Sequence, residues 1–176
     1  MLAVTQAYAG DFAGAIEIGI EAAETARRLG DLRAELLASS ILGMTETYRA
    51  HYAVALECSS RSVALSRELG ARRFEAEALV LNGLALIGLQ RREDARLGFA
   101  RVLRFDPDHV AALYFDGVLL AEARQFDAAL DRWSSVIALE PAGDFARRAR
   151  RDTRTALDLQ RIFGTREERL VTQGAA

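Results

Sequence analysis

The stretch AEALVLNGLALIGLQRREDARLGFARVLRFDP (76–107) is answered further along the chain by VAALYFDGVLLAEARQFDAALDRWSSVIALEP (110–141). Gly83, Ala95, Phe99 and Pro107 return as Gly117, Ala129, Trp133 and Pro141, every one with the same displacement. A 34-residue period of this kind marks a stack of repeated units. In each copy an apolar first helix (about 76–89, then 110–123) precedes a polar turn and a second helix (about 93–104, then 127–139), so each unit is predicted to be a helical hairpin. Gly83 and Gly117 fall where the first helix crosses the second, and Ala95 and Ala129 answer from the facing helix. Phe99 and Trp133 fill the wider space one turn on. Pro107 and Pro141 close the unit, since proline cannot continue a helix but can open the next.

The first half repeats at a longer interval. Tyr8, Phe12, Ala15, Leu29 and Gly30 match Tyr48, Tyr52, Ala55, Leu69 and Gly70, and Gly43 leads by the same step to Gly83, which defines a 40-residue unit. The added residues are expected to lengthen the second helices (about 12–29 and 52–69), with Gly30 and Gly70 replacing proline as stops.

These residues resemble the tetratricopeptide repeat, whose pattern of a first-helix Gly, Ala-x3-aromatic in the second helix and a terminal Pro is met twice, by Gly83, Ala95, Phe99, Pro107 and by Gly117, Ala129, Trp133, Pro141. The longer units of the first half resemble those in the sensor arrays of large bacterial transcription activators and in kinesin light chains. Gly19 and Ser59 depart from the pattern, standing where the family has a large residue, as do Asn82 and Asp116, standing where it has Leu. The resemblance implies an all-α, right-handed superhelical stack covering residues 1–163. Its units span about 1–30, 31–70, 71–109 and 110–143, followed by a capping helix at 144–163 and a tail at 164–176 that is frayed or forms a short helix begun by Thr165 and Glu168. Phe145, Ala149, Ala156, Leu157 and Phe163 are expected to form the inner face of the cap, and Arg151, in the register of Gly83 and Gly117, to face water.

Composition agrees with a helical chain of one array. The 176 residues are 51% hydrophobic with two prolines, and no segment alternates Val, Ile and Thr with period two. Residues 1–143 hold 15 Arg against 20 acids and residues 144–176 hold 8 against 5, with no Lys anywhere. That balance is too weakly positive for a nucleic-acid partner. The single cysteine, Cys58, excludes an internal disulfide, and the N-terminus lacks the pattern of a signal peptide. No apolar run reaches the roughly 20 residues of a membrane span. A cytoplasmic protein is expected.

Neither His51 nor His109 has a Cys, His or carboxylate at metal-ligand or nucleophile spacing, and the glycines form no phosphate loop. No catalytic residue, metal or cofactor is assigned, and the chain is not expected to be an enzyme. Two features remain. The run Arg147, Arg148, Arg150, Arg151, Arg154 is either a solvated cap face paired with acids such as Asp127 and Asp131, or a docking face for an acidic partner or nucleic acid, although no aromatic residue interleaves with the arginines to stack on bases. The first helices of units three and four, apolar almost all the way round, are either wholly covered or line a binding surface.

In the family the first helices form the concave wall. The resemblance therefore puts Tyr8, Met44, Tyr48, Val80, Leu84, Ile87, Tyr114 and Val118 along it, a wall suited to an apolar or amphipathic peptide. Asn82 and Asp116 either bond a ligand backbone or satisfy a neighbouring helix. The expected function is a scaffold or adaptor that binds another protein. The alternative, carried by the longer units, is a peptide- or ligand-sensing domain of a bacterial regulator. The short first helix leaves Met1, Leu2 and Val4 at an uncapped edge, which is expected either where the chain is cut from a longer array or where two copies meet as a homodimer.

Overall fold

A computed structural model describes the backbone of residues 12–174 and the side chains of residues 13–163. Tyr8, the N-terminal edge, and the Thr165 and Glu168 side chains lie outside the described residues. The described residues form eight α-helices and no strand: α1 (Phe12–Leu29), α2 (Leu32–Tyr48), α3 (Tyr52–Glu68), α4 (Arg72–Gly88), α5 (Arg92–Phe105), α6 (Val110–Glu122), α7 (Phe126–Leu139) and α8 (Asp144–Gly174). The chain is thus all-α. Its residues fall into two compact units, Met1–Val102 and Leu103–Ala176.

The turns carry the repeat in its plainest form. Positive φ occurs at Gly30, Ala50, Gly70, Gln90 and Arg124. The N–H of the following residue then reaches back into the last turn of the helix: Asp31 to the Ala26 carbonyl, His51 to Glu46, Ala71 to Ser66, Arg91 to Leu86 and Gln125 to Leu120. Each is the left-handed C-cap that satisfies the orphan carbonyls of a helix end. Gly30, Ala50, Gly70 and Gln90 are evenly spaced, so in this part of the chain every helix with its turn has one length. The extra residues of the long units therefore sit in both helices, α2 and α3 having 17 residues each against 13 and 14 in α6 and α7. The expectation that only second helices lengthen is corrected.

In the first unit α2 packs on α1, α3 and α4, and α3 on α4. The α1 face toward this core is small: Ala15, Gly19, Ala23 and Ala26 are buried. A Cβ on Gly19 would come within 2.7 Å of Leu42 Cδ2, so this glycine has a packing reason and is not a spare helix weakness. Gly43 meets the backbone N of Ser59, whereas Gly83 meets the ring of Phe99; the serine and the phenylalanine hold the same place in successive units. With no ring at position 59, the α3 backbone itself approaches Gly43. Ser59, Ser62 and Ser66 are fully buried along α3 and return their hydroxyls to their own helix, at Leu56, Cys58 and Val63 carbonyls.

Charge ties the same helices together. Arg61 of α3 donates Nε and Nη2 to the two oxygens of Glu35 on α2, each at 2.9 Å, and Arg27 of α1 adds a third bond at 3.1 Å. One long unit later, Arg67 of α3 donates to Glu75 on α4 at 2.8 Å, with Arg101 of α5 3.2 Å from the same oxygen. One carboxylate thus joins three consecutive helices, twice.

In the second unit α7 packs on α6 and α8, and α6 also touches α8. Leu113, Tyr114, Leu120, Phe126, Ala129, Trp133, Val136, Ala146, Ala149 and Ala156 form its core. A Cβ on Gly117 would lie 2.6 Å from Trp133 Nε1. At both crossings the glycine therefore accommodates the aromatic ring directly, and not the alanine, Ala95 or Ala129, that the sequence pairs with it. The cap helix presents Ala146, Ala149 and Ala156 inward with Phe145 and Phe163 half-buried, whereas Leu157, expected inside, is exposed. The helix continues past Phe163 to Gly174. Arg151 does face water.

Candidate functional site

Each described first helix has an open side. On α2 it passes through Ile41, Met44 and Tyr48, and on α4 through Leu81, Leu84 and Ile87, all half-buried except Tyr48, which is 70% exposed. In the second unit Phe115 and Val118 of α6, also half-buried, hold the corresponding positions. Val80 and Tyr114, expected on this surface, are instead 7% and 5% exposed. They point into the core, and their C-terminal neighbours Leu81 and Phe115 take the open positions. One residue turns a helix by about 100°, so a register displaced by one exchanges a core side chain for a surface one. Met44, Tyr48, Leu84, Ile87 and Val118 lie on the open side.

The second unit shapes its open side into a groove. A cavity of about 360 Å³ opens between α6 and α8, over α7. Val118 and Ala121 form one wall, Ala156 and Leu159 the other, and Trp133 and Tyr114 the floor. Glu122, Asp152 and Thr155 supply its polar atoms. The floor is fixed by hydrogen bonds. Trp133 Nε1 donates to the Tyr114 carbonyl at 3.2 Å, and the Tyr114 hydroxyl donates to Asp152 Oδ2 at 2.7 Å. Burial first, then this bond to a carboxylate, push the Tyr114 phenol up to about 12. Tyr114, Phe115 and Phe145 meet as a triangle of rings with centroids 5.1, 5.2 and 5.7 Å apart. Tyr114 thus supports the groove from below.

A second recess, of about 490 Å³, lies beside Arg124, Asp127, Gln160 and Phe163. Several of its polar groups are engaged with one another: Gln160 donates to Asp127 at 2.8 Å, and the Arg124 guanidinium lies 4.0 Å from the Phe163 ring centre. The groove over Trp133 differs in that its walls are apolar side chains, which gain by being covered.

Asn82 and Asp116 satisfy neighbouring helices. Asn82 donates to Ser59 and Ser60 Oγ, and Asp116 accepts from Arg132 at 2.8 Å. The arginine run is spent partly on its own helix start. Arg147 bonds the Ala142 carbonyl and Asp144, and Arg150 the Pro141 carbonyl, which offsets their placement at the positive end of the dipole. Asp127, an expected partner for the run, accepts from Gln160. The histidines also have local partners. His51 Nδ1 is 2.8 Å from the buried Glu46, and His109 Nδ1 caps α6 by accepting from Ala112 N–H. Burial pushes the Cys58 thiol up, away from the reactive thiolate. Among the described residues no three His, Cys, Asp or Glu side chains could hold a metal ion, and no helix is long and apolar enough to cross a membrane.

Sequence reasoning missed the two carboxylate triads, although Arg27, Glu35 and Arg61 recur as Arg67, Glu75 and Arg101 at the displacement already visible between Gly30 and Gly70. It also missed the contribution of α8 to the groove. Compared with protein-family models and with curated proteins, the chain matches none.

Proposed function

We propose that this chain is a tetratricopeptide-type repeat protein that acts as a scaffold or adaptor, holding an amphipathic segment of another protein in the groove between α6 and α8. One observation carries the reading: an open apolar groove whose floor is held rigid by the Trp133 to Tyr114 to Asp152 hydrogen bonds. A rigid floor spares a ligand the ordering cost of shaping its own site. Side chains of Leu, Ile or Phe projecting at i, i+3 or i+4 from an amphipathic helix suit such a wall. Further support comes from the glycine and aromatic paired at the same register of two units, Gly83/Phe99 and Gly117/Trp133, and from the even spacing of the helix caps. Superhelical stacking of the hairpins belongs to the same proposal. Small-angle scattering tests it, a curved elongated particle supporting it and a near-spherical one opposing it.

The binding test uses Trp133, the chain's single tryptophan. Amphipathic helical peptides titrated into the protein should shift its emission, and Val118→Glu should abolish the shift while circular dichroism stays unchanged. Peptides that bind the Val118→Glu protein as tightly would place the site elsewhere.

A further inference from the structure

The arginine run and the apolar groove look unrelated in the sequence, but the fold makes them neighbours. Asp152 and Thr155 line the groove, and Arg148 and Arg151 each stand one helical turn before them, on the same side of α8. Both guanidiniums are close enough to the Tyr114 hydroxyl to oppose the rise of its pKa. Arg148 lies 5.9 Å from the Phe145 ring centre. Arg151 donates to Asp152 Oδ1 at 3.1 Å yet stays 73% exposed. Arg147 and Arg150, in contrast, are directed to the preceding turn. The Tyr114 end of the groove therefore sets Arg148 and Arg151 against Asp152, a carboxylate that already accepts from Tyr114 and Arg151. The other end carries Glu122 and, just beyond it, Arg124, one charge of each sign.

Resting on the groove reading above, we propose that the occupant is an amphipathic polypeptide segment with an Asp or Glu about one helical turn from its apolar anchor. The anchor sits between Val118 and Leu159, and the carboxylate meets Arg148 and Arg151. Exposed cations beside an apolar slot add selectivity and on-rate more than raw affinity. They exclude a segment with Lys or Arg at that position as much as they favour an acidic one.

The test compares three short synthetic helical peptides with identical Leu and Phe anchors, differing only in Glu, Gln or Lys at the flanking position. Each is titrated into the full chain, with Trp133 emission and calorimetry as readouts. The Glu peptide should bind about fivefold more tightly than the Gln peptide, the gain of one or two exposed ion pairs. The Lys peptide should bind more weakly than either, and the differences should fade at high salt. In an Arg148→Gln/Arg151→Gln protein of unchanged helicity, the Glu peptide should fall to the Gln level while Gln-peptide affinity holds. Equal affinities for all three peptides would overturn this inference and leave the groove reading standing. No binding by any peptide would overturn both, and displacement of the Glu peptide by a single-stranded oligonucleotide would overturn the inference by giving the arginines a different partner class.

Discussion

Arg61 grips both oxygens of Glu35 from the neighbouring helix, at 2.9 Å each, and the glutamate it holds is 1% exposed. A bidentate guanidinium pair of this kind is directional as well as attractive. It fixes α3 against α2 in rotation and in register, and Arg27 extends the hold to α1. The Arg61 bond, reinforced by Arg27, outweighs burial and keeps the Glu35 carboxyl below its ordinary value of 4.5.

The pH dependence follows from that direction. The pair's contribution is fully present above about pH 4.5, where an unfolded glutamate is ionised, and is lost as pH falls through the lower folded value. Glu35→Gln should cost about 1–3 kcal/mol at neutral pH and flatten the acid limb of the stability curve. Urea denaturation at several pH values checks both. An unchanged acid limb would assign it to other carboxylates.

At the other end of the scale, Tyr114 holds its phenol neutral with a pKa of about 12. A raised pKa contributes stability that is complete below the unfolded value, near 10, and is lost as pH climbs toward the folded one. Tyr114→Phe should remove this alkaline sensitivity. A spectroscopic titration of tyrosinate should show one fewer late-titrating tyrosine in the variant.

The Gly83 to Phe99 contact gives a coupling experiment. A methyl on Gly83 would lie 2.5 Å from the ring, so Gly83→Ala should destabilise by about 1–3 kcal/mol through overpacking. In a Phe99→Leu background the same substitution should be less damaging, because the ring edge it strikes is gone. Additive costs in the double-mutant cycle would mean the two positions do not share that space.

Gly19 gives the opposite lesson about mid-helix glycines. Relieving backbone entropy would favour alanine by about 0.5–1 kcal/mol, but the new Cβ meets Leu42 at 2.7 Å. Gly19→Ala should therefore be neutral to destabilising, and Leu42→Ala should restore the expected alanine gain when the two are combined. Chemical denaturation of the pair decides it.

The helices, their pairing into hairpins and the spacing of the turns were legible because Gly, Ala and aromatic residues recur at fixed intervals that survive in the letters. The sides of those helices were harder to read. From residue 78 to the end of α4, and along α6, few residues are polar, so periodicity gives no phase, and Val80 and Tyr114 could not be told from Leu81 and Phe115 until packing fixed the rotation. Leu157 was misread for a related reason: α8 buries alanines, whose small side chains carry little signal beside a leucine. The groove needed α8 as its second wall, and the contact between α6 and α8 skips over all of α7 and carries no motif.

The carboxylate triads have a consequence for how such a chain can grow or shrink over evolutionary time. Arg27, Glu35 and Arg61 occupy the same positions in their repeat as Arg67, Glu75 and Arg101. Deleting one long unit's length of chain anywhere between Arg27 and Arg101 leaves one intact set, because each lost member is replaced by its counterpart arriving in step. Duplicating the same length adds a set by the same logic. In this region a module of that length, gained or lost, carries its own charge pairing with it.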